Sequence, residues 1–202
     1  MFARRMLSKV SPMAFTPKCN FASLVLAEHY MGKLNPNLAQ TITAATKMDS
    51  DVDVLVHGED PAALIEAVQN YPGIRNIIVA KDSSLENPYG DSIARIAECL
   101  VEKNGYTSVV SAASGFGKDV IPRLGGILDV QPITDVIEII ENGTKFKRPV
   151  YAGNAIATVS TSDSIKLLTV RPTNFEKTEP TTAHGYPTED ANTDFAVAGT
   201  WI

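Results

Sequence analysis

The chain has 202 residues, enough for one domain of ordinary size with short appendages, and its 18 basic and 23 acidic side chains give a net charge of −5. No apolar run reaches the roughly 18 residues of a membrane-spanning helix, which predicts a soluble domain. The acidic balance of the chain argues against nucleic acid as a partner, because phosphate binding requires basic clusters. Two cysteines make neither a disulfide framework nor a zinc-ligand spacing.

The amino terminus has a charge pattern of its own. No acidic residue precedes Glu28, and residues 1–22 contain four basic side chains, which are Arg4, Arg5, Lys9 and Lys18. Removing these four from the 18 basic residues leaves 14 against 23 acidic ones. Arginine and serine among apolar residues, without acids, are typical of a mitochondrial presequence. We therefore expect residues 1–22 to be a transit peptide, with a disordered basic tail as the alternative.

Strand-like and helix-like segments alternate between residues 23 and 128. Short apolar runs predict strands at residues 23–27, 52–56, 76–80 and 108–112. Amphipathic segments predict helices that begin at Asn35-Pro36, at Asp60-Pro61, at Asp91 and at the glycine turn near Gly117. This alternation predicts right-handed βαβ units and a parallel sheet covered by helices on both faces.

The glycine-rich turn after residue 112 invites comparison with phosphate-binding loops. A P-loop needs glycine where Ala112 stands and serine or threonine where Asp119 stands. A dinucleotide-binding fingerprint counted from Gly115 and Gly117 fails at Val120. A tight structural turn is therefore favoured over a phosphate cradle. If Gly117 has strained backbone angles there, Gly117→Val is expected to destabilise the fold by roughly 1–3 kcal/mol.

The pattern changes after residue 128. Strand-like runs at residues 132–140, 146–151, 155–160 and 166–170 follow one another with short loops, which favours antiparallel pairing. The predicted fold is α/β: a parallel sheet with flanking helices in three layers, adenine-nucleotide-hydrolase-like or Rossmann-like, extended by an antiparallel β segment. The predicted organisation is a presequence at 1–22, the α/β domain at 23–171, and a linker with a short tail at 172–202. The tail contains Phe195, Val197 and Trp201.

Few residues suggest chemistry. Glu28 and His29 follow the first strand, where ligands of open α/β sheets bind, but no second histidine stands in an obvious partner position. A surface or capping role is therefore preferred for this pair. Cys99 is predicted to be a buried helix residue, and His29, His57 and His184 look scattered along the chain. Arg148 and Arg171 are expected to pair with acids or to bridge to a subunit. No catalytic, cofactor-binding or metal-binding residue is assigned.

Six stretches carry a resemblance to a known family: SLVLAEH, TITAATK, SAASGFGKDVIPRL, QPITDV, KRPVYAGNAIATV and TVRPTNF. In this order they resemble the amino-terminal domain of the α (large) subunit of electron transfer flavoprotein, over residues 23–175. The combination of SAASGFGK, PITDV and RPVYAGNA is specific, although each piece alone is weak.

The resemblance implies an FAD-carrying heterodimer with a small (β) subunit in the mitochondrial matrix. Such a protein is an electron carrier that links acyl-CoA and other dehydrogenases to a membrane quinone oxidoreductase in fatty-acid and amino-acid oxidation. In that family a second domain of the large subunit holds most of the flavin, and no stretch here resembles it, so no flavin contact is carried over. The small subunit is expected on the sheet extension at residues 148–160. The alternatives are a scaffold without its own flavin and a stand-alone adenine-nucleotide binder of the universal-stress type.

Overall fold

A computed structural model describes residues 21–191. The twelve strands that it contains are β1 (Ala22–Leu26), β2 (His29–Tyr30), β3 (Lys33–Leu34), β4 (Asp51–Gly58), β5 (Asn76–Lys81), β6 (Ser108–Ala112), β7 (Ile133–Val136), β8 (Glu138–Ile140), β9 (Lys145–Val150), β10 (Ala155–Ser160), β11 (Lys166–Val170) and β12 (Thr188–Asp190). The α-helices are α1 (Leu38–Thr46), α2 (Ala62–Val68), α3 (Gly90–Asn104) and α4 (Gly115–Leu128). The predicted presequence, apart from its last two residues, and the apolar tail lie outside the described residues.

Seven of these strands form the central sheet, in the order β12-β5-β4-β1-β6-β11-β7, and every pairing between neighbours is parallel. All residues of β1 and β6 are buried, as expected of strands that are covered on both faces. The predicted α/β architecture is confirmed.

Helices cover the sheet from both sides because successive strand side chains point to opposite faces. On one side, Val25 of β1 joins a buried cluster with α1 and α2. On the other side, the adjacent Leu24 joins a second cluster with α3 and α4. Helix α3 ends where a local signal predicts, because Gly105 has a left-handed backbone conformation with φ 71° and terminates it.

The antiparallel prediction is right for residues 138–160 and wrong for the strands on either side. Strands β8, β9 and β10 form a separate antiparallel sheet, whereas β7 and β11 belong to the parallel sheet. Leu167 and Leu168 of β11 are both buried, on opposite faces. The small antiparallel sheet thus serves as the crossover that two adjacent parallel strands require.

The segment predicted as a linker contributes an unexpected strand. Strand β12 pairs in parallel with β5 at one edge of the central sheet. Phe175 and Ala191 are buried, and the Tyr186 hydroxyl donates a 3.1 Å hydrogen bond to the carbonyl of Tyr71. The Thr-, Pro- and Glu-rich composition gave no sign of this docking, which depends on the open edge of β5. Within residues 21–191, no helix combines the length and the apolar character needed to cross a bilayer.

Candidate functional site

A pocket of about 330 Å³ opens where β1 and β4 end, and four separate parts of the chain line it. Glu28 lies in the short connection between β1 and β2, His29 begins β2, and His57 comes from β4. Glu86 follows a short 3-10 helix, and Phe116 belongs to the first turn of α4. This carboxyl edge is where open α/β sheets commonly bind ligands.

Parallel pairing brings the two histidines of the pocket together. Leu26 of β1 lies beside Leu55 of β4, so residues just beyond them meet at the same edge of the sheet. His29 Nε2 is 3.1 Å from His57 Nδ1. The prediction that no second histidine partners His29 is therefore wrong.

The chemistry of this pair is that of two neutral imidazoles. His57 is only 2% exposed, its Nδ1 lies 3.2 Å from the Leu85 carbonyl oxygen, and its ring stacks on Phe116. Burial and, to a smaller extent, the neighbouring His29 together lower the pKa of His57 from 6.5 to about 3. Burial also lowers the pKa of His29, while the carboxylates of Glu86 and Glu28 oppose this shift.

Three carboxyl groups surround the imidazoles, and among residues 21–191 only one of them is paired with a cation. Asp119 forms an ion pair with Arg123, with 2.9 Å between Oδ1 and Nε. Glu28 accepts a 2.8 Å hydrogen bond from the amide nitrogen Nδ2 of Asn35. Glu86 accepts a long hydrogen bond, 3.4 Å, from the backbone N–H of Glu59. A phosphate in this pocket would be repelled by the negative charges of Glu28 and Glu86, which disfavours its binding there.

The start of α4 agrees with a structural turn. Ser114 caps the helix, and its Oγ accepts a hydrogen bond from the N–H of Gly117 at 3.2 Å, so this amide is used internally. Gly117 does not have a positive φ, so the condition of strained backbone angles is not met. Its constraint is steric instead: a Cβ there would lie 2.0 Å from the carbonyl oxygen of Ala112 and 2.8 Å from Ser111 Oγ.

The pocket offers hydrogen-bonding and proton-accepting groups but no evident catalytic set. Its lining contains neither serine nor cysteine. Among residues 21–191, no group of three or more His, Cys, Asp or Glu side chains is arranged to hold a metal ion. Two residues singled out in the sequence, His184 and Cys99, lie outside this pocket. His184 bonds Thr181 far along the chain, and Cys99 is exposed on α3 rather than buried, because Ile96 and Leu100 occupy the inner face of that helix.

The two arginines flank the junction between the sheets. Arg171 makes a two-pronged ion pair with Asp135, in which Nε is 2.9 Å from Oδ1, as predicted for pairing with an acid. Arg148 instead donates to the hydroxyl of Thr134 at 3.0 Å. Its Nε is buried without a hydrogen-bond partner in the described part of the chain. Two residues after the buried Phe146 on the same strand, the Arg148 side chain points toward the inner face of the small sheet.

The antiparallel sheet has one buried face and one exposed face. Phe146 is completely buried, and Ile139 and Val159 pack beside it against the core. On the exposed side, Ile156 is 62% exposed, and Tyr151 in the β9–β10 turn is 82% exposed. Large exposed apolar side chains on one surface are typical of a contact region.

Comparison with known proteins places this geometry in a family. A family model described as the electron transfer flavoprotein domain matches residues 23–195. The probable mitochondrial electron transfer flavoprotein subunit alpha of Caenorhabditis elegans is 37% identical, covering 86% of this chain and 52% of the relative. The subunit alpha of Pseudomonas aeruginosa is 39% identical, over 77% of this chain and 49% of the relative. The mitochondrial subunit alpha of Arabidopsis thaliana is 33% identical, over 81% and 46%.

The chain spans about half the length of these curated relatives. The worm and plant relatives are mitochondrial by name, whereas the Pseudomonas relative is bacterial. The match of the family model extends over most of the chain and includes all seven strands of the central sheet except the first residue of β1. The chain therefore belongs to the electron transfer flavoprotein family, and it matches about half the length of these α-subunit relatives.

Proposed function

We propose that this chain is the base of an α subunit that works with a small (β) subunit as an electron carrier in the mitochondrial matrix. The observation that carries the proposal is the family match over residues 23–195 together with the three relatives above, each named subunit alpha. In the complete assembly, electrons from acyl-CoA and other dehydrogenases pass to a membrane quinone oxidoreductase. The basic, acid-free residues 1–22 support import into mitochondria.

FAD is the cofactor of the proposed assembly, and the pocket at the carboxyl edge of the sheet does not fit its pyrophosphate. Binding its pyrophosphate needs free backbone N–H groups and positive charge, but the N–H of Gly117 is used by Ser114. The nearby pocket is lined by the carboxylates of Glu28 and Glu86. We therefore assign the flavin to parts of the assembly outside residues 21–191 and assign no electron-transfer step to this domain.

The exposed face of the antiparallel sheet is the proposed contact with the small subunit. Tyr151 and Ile156 supply apolar surface there, and both side chains are largely exposed. The remaining charges on this face are already neutralised, since Lys147 pairs with Glu138 at 2.8 Å. An apolar centre with paired charges around it is the usual composition of a protein interface.

Co-expression of the chain with the small subunit, followed by an absorption spectrum of the purified complex, tests the proposal. A stable, colourless complex supports both the subunit assignment and the location of the flavin elsewhere. About one FAD per complex would contradict that location. Failure of the wild-type chain to form any complex under mild conditions would contradict the subunit assignment itself.

The second candidate is a scaffold that binds the small subunit without ever supporting flavin. It is favoured by the carboxylates of Glu28 and Glu86 in the pocket at the carboxyl edge of the sheet, which do not suit a flavin pyrophosphate. Adding the half of a relative that this chain does not match, as a separate polypeptide, to the colourless complex separates the two candidates. Recovery of the flavin spectrum supports the electron carrier, whereas a complex that stays colourless supports the scaffold. A stand-alone adenine-nucleotide binder is disfavoured by the carboxylates of the pocket, and titration calorimetry with ATP or AMP tests it.

A further inference from the structure

Strand β10 is an edge strand with one side unpaired. It is the outer member of the antiparallel sheet, whose order is β10-β9-β8. All six of its residues pair with β9, from Ala155 opposite Val150 to Ser160 opposite Lys145, in one unbroken register. Within residues 21–191, no strand lies on its other side.

A proline in β9 shows which backbone groups of β10 point outward. Pro149 has no N–H and lies opposite Ile156, which suits a pair that exchanges no hydrogen bonds. The carbonyl of Lys147 accepts from the N–H of Ile137 at 2.9 Å, so Lys147 and Pro149 direct their backbone groups toward the β8 side. The backbone N–H and C=O of their neighbour Arg148 therefore point toward β10, where Arg148 pairs with Ala157.

Because backbone direction alternates along a strand, the outward residues of β10 follow from this phase. Ala155, Ala157 and Val159 bond to β9, whereas Ile156, Thr158 and Ser160 present their N–H and C=O groups to the exterior. All three outward residues are exposed. The edge therefore offers three donors and three acceptors in the regular spacing of a sheet.

This edge lacks the devices that normally protect such strands. Native edge strands are blunted by charged residues, proline or bulges. The sequence of β10, Ala-Ile-Ala-Thr-Val-Ser, contains neither charge nor proline, and its register has no bulge. A flat, neutral edge with an exposed isoleucine is suited to binding another strand.

The position of β10 in the fold favours a separate chain as the occupant. The last described strand, β12, forms one edge of the central sheet, and β7 forms the opposite edge. The antiparallel sheet β8–β10 lies beside β7. Six inter-strand intervals of about 4.8 Å separate β12 from β7, a distance of roughly 29 Å. A segment continuing from Ala191 would have to cross this whole distance before it could pair with β10, whereas a separate polypeptide is under no such constraint.

We propose that an extended segment of the small subunit pairs with the outward edge of β10 and becomes the fourth strand of the antiparallel sheet. This inference rests on the proposed function and specifies how the two subunits are joined. The partner segment supplies backbone donors and acceptors to Ile156, Thr158 and Ser160, and an apolar side chain that covers Ile156. Backbone pairing supplies affinity, and the side chains on the exposed face supply specificity.

Hydrogen exchange of the full chain, free and in complex with the small subunit, tests the pairing amide by amide. The N–H groups of Ile156, Thr158 and Ser160 are expected to exchange at least about tenfold more slowly in the complex. Those of Ala157 and Val159 are internal controls, because they are protected by β9 in both states. A complex that forms while the three outward amides exchange as in the free chain would overturn the inference and leave the proposed function intact.

A proline substitution provides the affinity test. Thr158→Pro removes one outward N–H without removing a bond to β9, and it is expected to weaken binding of the small subunit about tenfold. Thr158→Val keeps the N–H and is expected to bind within about twofold of wild type. Equal affinity of the two variants would contradict the pairing, and if Thr158→Pro does not fold, the exchange measurement decides alone. Dimerisation of the free chain that Thr158→Pro abolishes would assign the edge to a second copy instead.

Discussion

Gly117 allows the packing of α4 against β6 to be tested with a single methyl group. The substitution Gly117→Ala places a Cβ 2.0 Å from the carbonyl oxygen of Ala112. That oxygen belongs to the backbone of a buried strand and cannot rotate away. The helix must therefore shift outward by more than 1 Å to restore ordinary contact, which disturbs the packing of Val120 and Ile121.

The size of the effect follows from two opposing contributions. Overpacking in a core costs about 1–3 kcal/mol, and a backbone obstacle places this site at the upper end of that range. Alanine gains about 1 kcal/mol over glycine within a helix. The net expectation is a loss of about 2 kcal/mol in the free energy of unfolding, or about 4–8 °C in melting temperature for a domain of this size.

Gly126 is a matched control within the same helix. It is exposed, and a Cβ there meets no atom within 4 Å, so Gly126→Ala should raise the melting temperature by about 2–3 °C. Thermal unfolding followed by circular dichroism measures both variants. A melting temperature of Gly117→Ala equal to or above that of wild type would refute the steric account, because helix propensity alone would then determine the outcome.

Two further predictions concern buried polar groups. The Tyr106 hydroxyl donates a 2.5 Å hydrogen bond to the buried carboxylate of Asp53. Tyr106→Phe should therefore lower the free energy of unfolding, measured by urea titration, by about 1.5–3 kcal/mol. Tyr30→Phe, at an exposed site, is the control and should change it by less than about 0.5 kcal/mol. Similar midpoints for the two variants would contradict this role. Burial lowers the pKa of His57 from 6.5 to about 3, so below pH 6.5 the unfolded chain binds a proton that the native protein does not. About 2 kcal/mol of the free energy of unfolding should therefore be lost by pH 5 and restored above pH 6.5. His57→Gln should show a shallower decline between pH 7 and pH 5, and parallel curves would argue against this linkage.

Much of the fold could be predicted from the sequence because its signals are local. The buried run of β6 is predicted to the residue, and the end of α3 follows from a glycine with a left-handed backbone. The failure of the phosphate-loop patterns at Ala112 and Asp119 was equally local, and the capped start of α4 agrees with it. The stretches that resemble the family were legible for the same reason, since they are contiguous segments of the chain.

The candidate site could be predicted only in part. Its first half, Glu28 and His29, follows a recognisable strand, but His57 becomes its partner only because β4 is the neighbour of β1. Counting two residues beyond Leu55 would have found His57 once that pairing was known. Nothing near Glu86 in the sequence signalled its place in the pocket, because it is brought there by the 3-10 turn after β5.

By itself the sequence determined the alternation of strands and helices, the three-layer architecture and the family. The tertiary structure decided that β11 inserts between β6 and β7, that β12 completes the far edge of the sheet, and that the edge of β10 is left open. Periodicity and turn residues act over a few positions along the chain, whereas the order of strands depends on how two helical layers share one sheet. The constraint on Gly117 likewise comes from a strand backbone pressed against its helix.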